Sequence, residues 1–171
     1  HVAEIMRKAG VKQCQARHGN PAESFASLEI IFVADTTLKI PNTEVPERDV
    51  AFLKLVDARA SFGVAEISTI PAERGDILLT LGYPSEFLQG LASEVNSNLV
   101  FSALRVDAFA DIDGDLDTAE GYLFEGGLAL QRGSSGTALF NRQGEVVGII
   151  FATTKGETTA DREGVALMTS Y

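Results

Sequence analysis

Turn residues cut this chain into short apolar runs, and almost none is long enough for a helix that buries a face. Leu28 to Ala34 is one β-rich run. Val50 to Val56 is another, entered from the polar Pro46-Glu47-Arg48-Asp49. Ile77 to Leu81 lies between Arg74-Gly75-Asp76 and Gly82-Tyr83-Pro84, both turn signals. Leu99 to Val106, Tyr122 to Phe124 and Val165 to Met168 complete the series. The clearest hairpin joins Thr137–Phe140 to Glu145–Phe151 through Asn141-Arg142-Gln143-Gly144, a polar turn ending in glycine. One short helix is predicted: Val2, Ile5, Met6 and Ala9 fall at helical spacing, with Gly10 as the stop. Gln15 to Pro21 reads as a surface turn. The pattern has no heptads and no internal repeat, and it predicts an all-β sandwich or barrel.

Composition narrows the functions open to such a chain. Its 171 residues are 45% apolar and 22% charged, an ordinary globular mixture. No apolar run approaches the ~20 residues of a membrane helix. The formal net charge of −10 repels phosphate backbones and argues against nucleic acid as a partner. Cys14 is the only cysteine, so no internal disulfide forms and the core must supply the stability. Nothing near Cys14 supplies the base a catalytic thiol needs, so it reads as an incidental thiol.

The strongest chemical signal is Gln131-Arg132-Gly133-Ser134-Ser135-Gly136-Thr137-Ala138-Leu139-Phe140. Gly133 allows a tight bend at which two N–H groups can converge, and Gly136 leaves room beside the Ser135 hydroxyl. A second signal is Asp111-Ile112-Asp113-Gly114-Asp115-Leu116-Asp117-Thr118-Ala119-Glu120. Carboxylates at alternate positions, Asp111, Asp113, Asp115 and Asp117 with Glu120, can wrap a hard cation. The glycine and glutamate are out of place for an EF-hand loop, so the segment reads as a solvated connection and no metal is assigned.

Three segments together resemble one family. Gly133 to Asn141, followed by Gly144-Glu145-Val146-Val147-Gly148-Ile149, is similar to the nucleophile segment of trypsin-like serine proteases, above all the bacterial Deg/Htr type and glutamyl endopeptidases. Thr137 stands where many relatives have Gly. Asp49-Val50-Ala51-Phe52-Leu53-Lys54-Leu55 resembles the strand whose Asp orients the catalytic His. Gly75-Asp76 through Gly82-Tyr83-Pro84 resembles the strand that opens the second barrel. The three occur in the family's order. His1-Val2 before a short helix resembles the family's His-Val, and His18 is the other candidate base.

The resemblance implies an all-β fold of two antiparallel six-stranded barrels, residues 1–72 and 73–171, the first lacking its N-terminal strands. It implies a serine endopeptidase acting on polypeptides. Ser135 would be the nucleophile, His1 the base and Asp49 the residue that holds it, with Asp49 and Ser135 meeting across the cleft between the barrels. Backbone N–H groups of Gly133 and Ser135 would form the oxyanion hole. No cofactor is implied. Ala129, Leu130, Ile150, Phe151, Ala152 and Thr153 would line the substrate pocket. None is charged, so the pocket is expected to be small and apolar and to favour Val or Ala before the cut. Family analogy also implies a homo-oligomer and a bacterial envelope or secreted location. Two other functions fit the same residues: a trypsin-fold interaction protein that no longer cleaves, and a calcium-dependent binding module built on the Asp111–Glu120 loop.

Overall fold

The computed structural model describes residues 8–18, 23–34, 37–40, 43–46, 50–58, 62–84, 99–112, 117–154, 156 and 158–170. The chain divides into two compact units, residues 1–63 and 64–171. The expected boundary after residue 72 falls later. Residues 64–72 belong with the second unit because their backbone is tied into it. Ser68 N donates to Val146 O (2.9 Å), Val146 N to Glu66 O (2.7 Å), and Ala72 N to the Tyr122 hydroxyl (2.8 Å).

The first unit holds β1 (Gln13–His18), β2 (Glu23–Val33), β3 (Thr37–Ile40), β4 (Thr43–Pro46) and β5 (Ala51–Ala58). β1, β2 and β5 form an antiparallel sheet in that order, and β3 pairs with β4 as a separate ribbon. β1 replaces most of the expected surface turn at Gln15–Pro21. Its cause lies in the sequence: exposed Gln13, Gln15 and Arg17 alternate with half-buried Cys14 and Ala16, a period-two pattern with very small apolar members. The predicted helix falls mostly outside the described residues. Gly10, at φ 76°, turns the chain just after Lys8.

The second unit is built from β6 (Ile77–Gly82), β7 (Val100–Arg105), β8 (Ala108–Ala110), β9 (Gly121–Glu125), β10 (Ala138–Phe140), β11 (Val146–Thr153) and β12 (Glu163–Met168). Its antiparallel sheet runs β7-β6-β10-β11-β12-β9-β8. The two edge strands, β7 and β8, are consecutive pieces of one strand that bends at Val106-Asp107. The bend carries the chain from β6 across to β9, where Asp107 N donates to Leu123 O (2.9 Å). Counting that bent strand once, the sheet closes into a ring of six strands. The architecture is all-β, as expected.

Alternation fills most of the ring, with consecutive buried residues only at Gly121-Tyr122 and Val147-Gly148 within its described strands. On β6, Leu78, Thr80 and Gly82 are buried while Ile77, Leu79 and Leu81 face outward. Ser102 and Leu104 on β7, Tyr122 and Phe124 on β9, Leu139 on β10, Val147 and Ile150 on β11, and Ala166 and Met168 on β12 are buried with them. Thr80 meets the demand of a buried hydroxyl by donating to Ala138 O (2.9 Å). The β10–β11 hairpin forms where expected. Asn141 Oδ1 accepts from the N–H groups of Gln143 (3.0 Å) and Glu145 (2.9 Å), which fixes its turn. Among the described residues no helix is long and apolar enough to cross a membrane.

Candidate active site

Two consecutive tight turns present Ser135. In Gln131–Ser134, Ser134 N donates to Gln131 O (3.1 Å) and Gly133, third in the turn, has φ 93°. In Ser134–Thr137, Thr137 N donates to Ser134 O (3.0 Å) and Gly136, third again, has φ 91°. Positive φ at that position is strained for a residue with a Cβ. The turns are anchored to β11 because Gly136 N donates to Ile150 O (2.7 Å) and Ile150 N to Thr137 O (2.9 Å).

This geometry exposes Ser135 and buries Ser134. Ser134 is 1% exposed, and its Oγ has no hydrogen-bond partner among the described residues. Ser135 Oγ donates to Phe151 O at 3.2 Å. Phe151 is an extra residue in β11, since Ile150 pairs with Ala166 and Ala152 with Val165. The bulge releases the Phe151 carbonyl from the β12 ladder and lets it meet Ser135. A Cβ at Gly136 would meet nothing within 4 Å. The N–H groups of Gly133 and Ser135 donate to no described backbone carbonyl. Two such N–H groups, where they converge, are the chemical requirement for stabilising an oxyanion.

His1 and Asp49 lie outside the described residues, and so does the expected approach of Asp49 to Ser135. His18 is the last residue of β1, and its side chain is not described. Of the expected pocket residues, Ala129, Leu130 and Ile150 are buried in the barrel core. Phe151 and Ala152 are half-buried and Thr153 is exposed. Leu130 packs against Gly164 so closely that a Cβ there would overlap its Cδ2. Arg162 is a neighbour that the sequence did not suggest. Its Nη1 lies 3.5 Å from Leu130 O, which places a cation beside this otherwise uncharged segment. The available signal was indirect: β12 pairs with β11, so the residue before β12 must come near the wall of the same site.

The acidic loop also departs from expectation at one residue. Asp111 and Asp117 are exposed, but Glu120 is buried, at 1% exposure. Asp113 and Asp115 are outside the described residues. Among the described residues no three His, Cys, Asp or Glu side chains gather to hold a metal.

The family model of the trypsin-like peptidase domain matches residues 5–149. No curated protein sequence matches the chain. Among solved structures, the chain is similar to the active form of the Rv3671c protease from M. tuberculosis, with 17% identity and a TM-score of 0.51, over 98% of this chain and 81% of that one. An inactive form of that protease gives 19% identity and a TM-score of 0.56, over 86% of this chain and 63% of the other. The MamO protease domain from Magnetospirillum magneticum gives 18% identity and a TM-score of 0.52, covering 91% and 70%. The chain spans 60% and 63% of the two inactive-form Rv3671c chains. At these identities the structures speak to the fold alone. With the family model covering most of the sequence, the chain belongs to the trypsin-like peptidase domain family.

Proposed function

We propose that this chain carries the nucleophile and oxyanion hole of a serine endopeptidase. The observation that supports it most is the pair of tight turns, which exposes Ser135 and leaves the Gly133 and Ser135 N–H groups with no acceptor among the described backbone carbonyls. A serine hydroxyl is a weak nucleophile at neutral pH and needs a base, which in turn needs an acceptor to fix its tautomer. In this reading Ser135 Oγ attacks the scissile carbonyl carbon while His1 takes its proton. The carbonyl oxygen becomes an oxyanion held by the two N–H groups. His1 then returns the proton to the leaving amine, and Asp49 stabilises the imidazolium between those steps. Water repeats the sequence to release the acyl group. Losing one donor of such a hole costs roughly 10²–10³ in turnover.

Cleavage after small aliphatic residues is part of the proposal. Leu130 packed against Gly164 supports a shallow pocket. The test has two arms. A fluorophosphonate probe should label the protein at Ser135, and Ser135→Ala should abolish the label. Peptides differing only before the cut should be cleaved faster after Val or Ala than after Lys, Arg or Glu. Preference for Glu would move the specificity to Arg162. A second reading is an interaction protein that does not cleave, favoured by the Ser135 Oγ bond to Phe151 O. Absence of labelling on the folded protein would select it.

A further inference from the structure

We propose that Glu120 Oε1 is a ligand of a hard divalent cation, calcium by preference, at the base of the β8–β9 connection. Glu120 is held by the barrel rather than by solvent. Its backbone N–H donates to Ala110 O (3.1 Å), and its carbonyl accepts from Met168 N (2.7 Å). The side chain turns back onto the start of the connection, where Glu120 Oε2 accepts from Ile112 N (2.9 Å). Ile112 is fixed there in turn, since its Cδ1 would lie 3.0 Å from a Cβ at Gly121. One carboxylate oxygen is therefore satisfied and the other is not: Oε1 is buried with no hydrogen-bond partner among the described residues.

A buried carboxylate oxygen without a partner is costly. A bound cation would meet it. The surroundings select a cation over an anion. Asp111 and Asp117 are exposed at the two ends of the same connection. The chain's entire formal charge of −10 falls on residues 64–171, because acidic and basic residues balance over 1–63. The donors select a hard ion. From Asp107 to Glu125 there is neither Cys nor His, so the soft and borderline sites of zinc are excluded on ligand type. Calcium accepts carboxylate, main-chain and water oxygens in a flexible shell of about 6–8. With only one buried carboxylate in the shell, affinity should fall in the weak range of ~10⁻⁴–10⁻³ M seen for extracellular modules.

This proposal is independent of the proteolytic reading, and its test reads binding and stability rather than cleavage. Thermal unfolding of the protein is followed with increasing calcium chloride, against sodium chloride at matched ionic strength. The midpoint should rise and saturate at millimolar calcium, and isothermal titration should give a single-site heat. Glu120→Gln, judged folded by circular dichroism, should weaken binding by about tenfold or more. Asp117→Asn should weaken it less, as a contributor to the field. Absence of both a midpoint shift and a binding heat in the unaltered protein would overturn the proposal, whatever the variants do. So would a Glu120→Gln protein that responds to calcium as the parent does. Were Glu120→Gln to unfold, the titration of the unaltered protein would still decide.

Discussion

The two units solve the problem of an amphipathic sheet differently. In the second, β6 to β12 close into a ring, and large side chains such as Leu78, Tyr122, Phe124, Leu130 and Leu139 are almost wholly withdrawn from solvent. In the first, β1, β2 and β5 form an open sheet, and Ala26 is the only fully buried residue among those described. Ile31, Phe32, Phe52, Leu53 and Leu55 are all exposed there, with Phe32 and Phe52 in tilted ring contact at 5.6 Å. Both units have β-branched and aromatic strands of suitable length. What differs is closure: a ring gives every inward side chain a partner across the interior, whereas an open sheet has two faces and no interior. Stability should therefore be concentrated in residues 64–171, where the Ser135 turns also sit.

Matched truncations break or sharpen this contrast. Leu139→Ala in the ring should cost about 2–5 kcal/mol, the range for emptying a packed site. Leu53→Ala on the open sheet, where the side chain is 43% exposed, should change stability by about 0.5 kcal/mol or less. Urea denaturation measures both. Equal costs would mean that the open sheet is covered in solution, and the contrast would fail.

The same contrast explains what could be read from sequence. The β10–β11 hairpin was legible because its apolar runs flank Asn141-Arg142-Gln143-Gly144, a turn whose chemistry is local. The Ser135 turns were legible for a similar reason: Gly133 and Gly136 stand where the backbone needs positive φ. β1 was hidden because Cys14 and Ala16 are too small to announce a buried face. β8 was hidden because it is the far half of a bent strand, a consequence of ring closure that no short window contains. Glu120 reads as part of a polar loop, and its burial follows from backbone bonds to Ala110 on β8 and Met168 on β12 that the local sequence does not announce. Arg162 meets Leu130 through the folding of two distant segments.

A smaller effect tests how firmly residues 64–72 belong to the ring. Tyr122→Phe removes the oxygen that accepts from Ala72 N, and leaves that buried N–H unpaired. The expected cost is about 1–3 kcal/mol, with faster hydrogen exchange at the Ala72 amide. The variant also carries a pH signature. Burial raises the Tyr122 pKa above the usual tyrosine value, the Ala72 bond lowers it in part, and the Asp76 charge raises it further. A group whose pKa is raised by folding stabilises the fold below its unfolded pKa and loses that contribution as pH rises through the folded one. The parent should therefore lose stability above about pH 10, and Tyr122→Phe should lose less. An unchanged Ala72 exchange rate would detach this segment from the ring.

The smallest effect is expected at the rim, where ring closure contributes least. Asp161 is fully exposed in the turn between β11 and β12, and its Oδ2 accepts from the Thr158 hydroxyl (2.7 Å) and the Thr158 N–H (3.1 Å). The Thr158 side chain first, and its backbone N–H second, hold the Asp161 pKa below the usual aspartate value. Both bonds favour the charged carboxylate, so the sign follows directly. A group whose pKa is lowered by folding contributes stability above its unfolded pKa, and that contribution is lost as pH falls through the folded value. Asp161→Asn should therefore lower the unfolding midpoint slightly at neutral pH, and the gap between variant and parent should close on acidification below the ordinary aspartate range. High salt should leave most of the gap in place, because hydrogen bonds rather than a distant charge produce it. A gap that persists unchanged at low pH would show that the turn is held by its backbone alone, through the Asp161 N bond to Thr158 O at 3.2 Å.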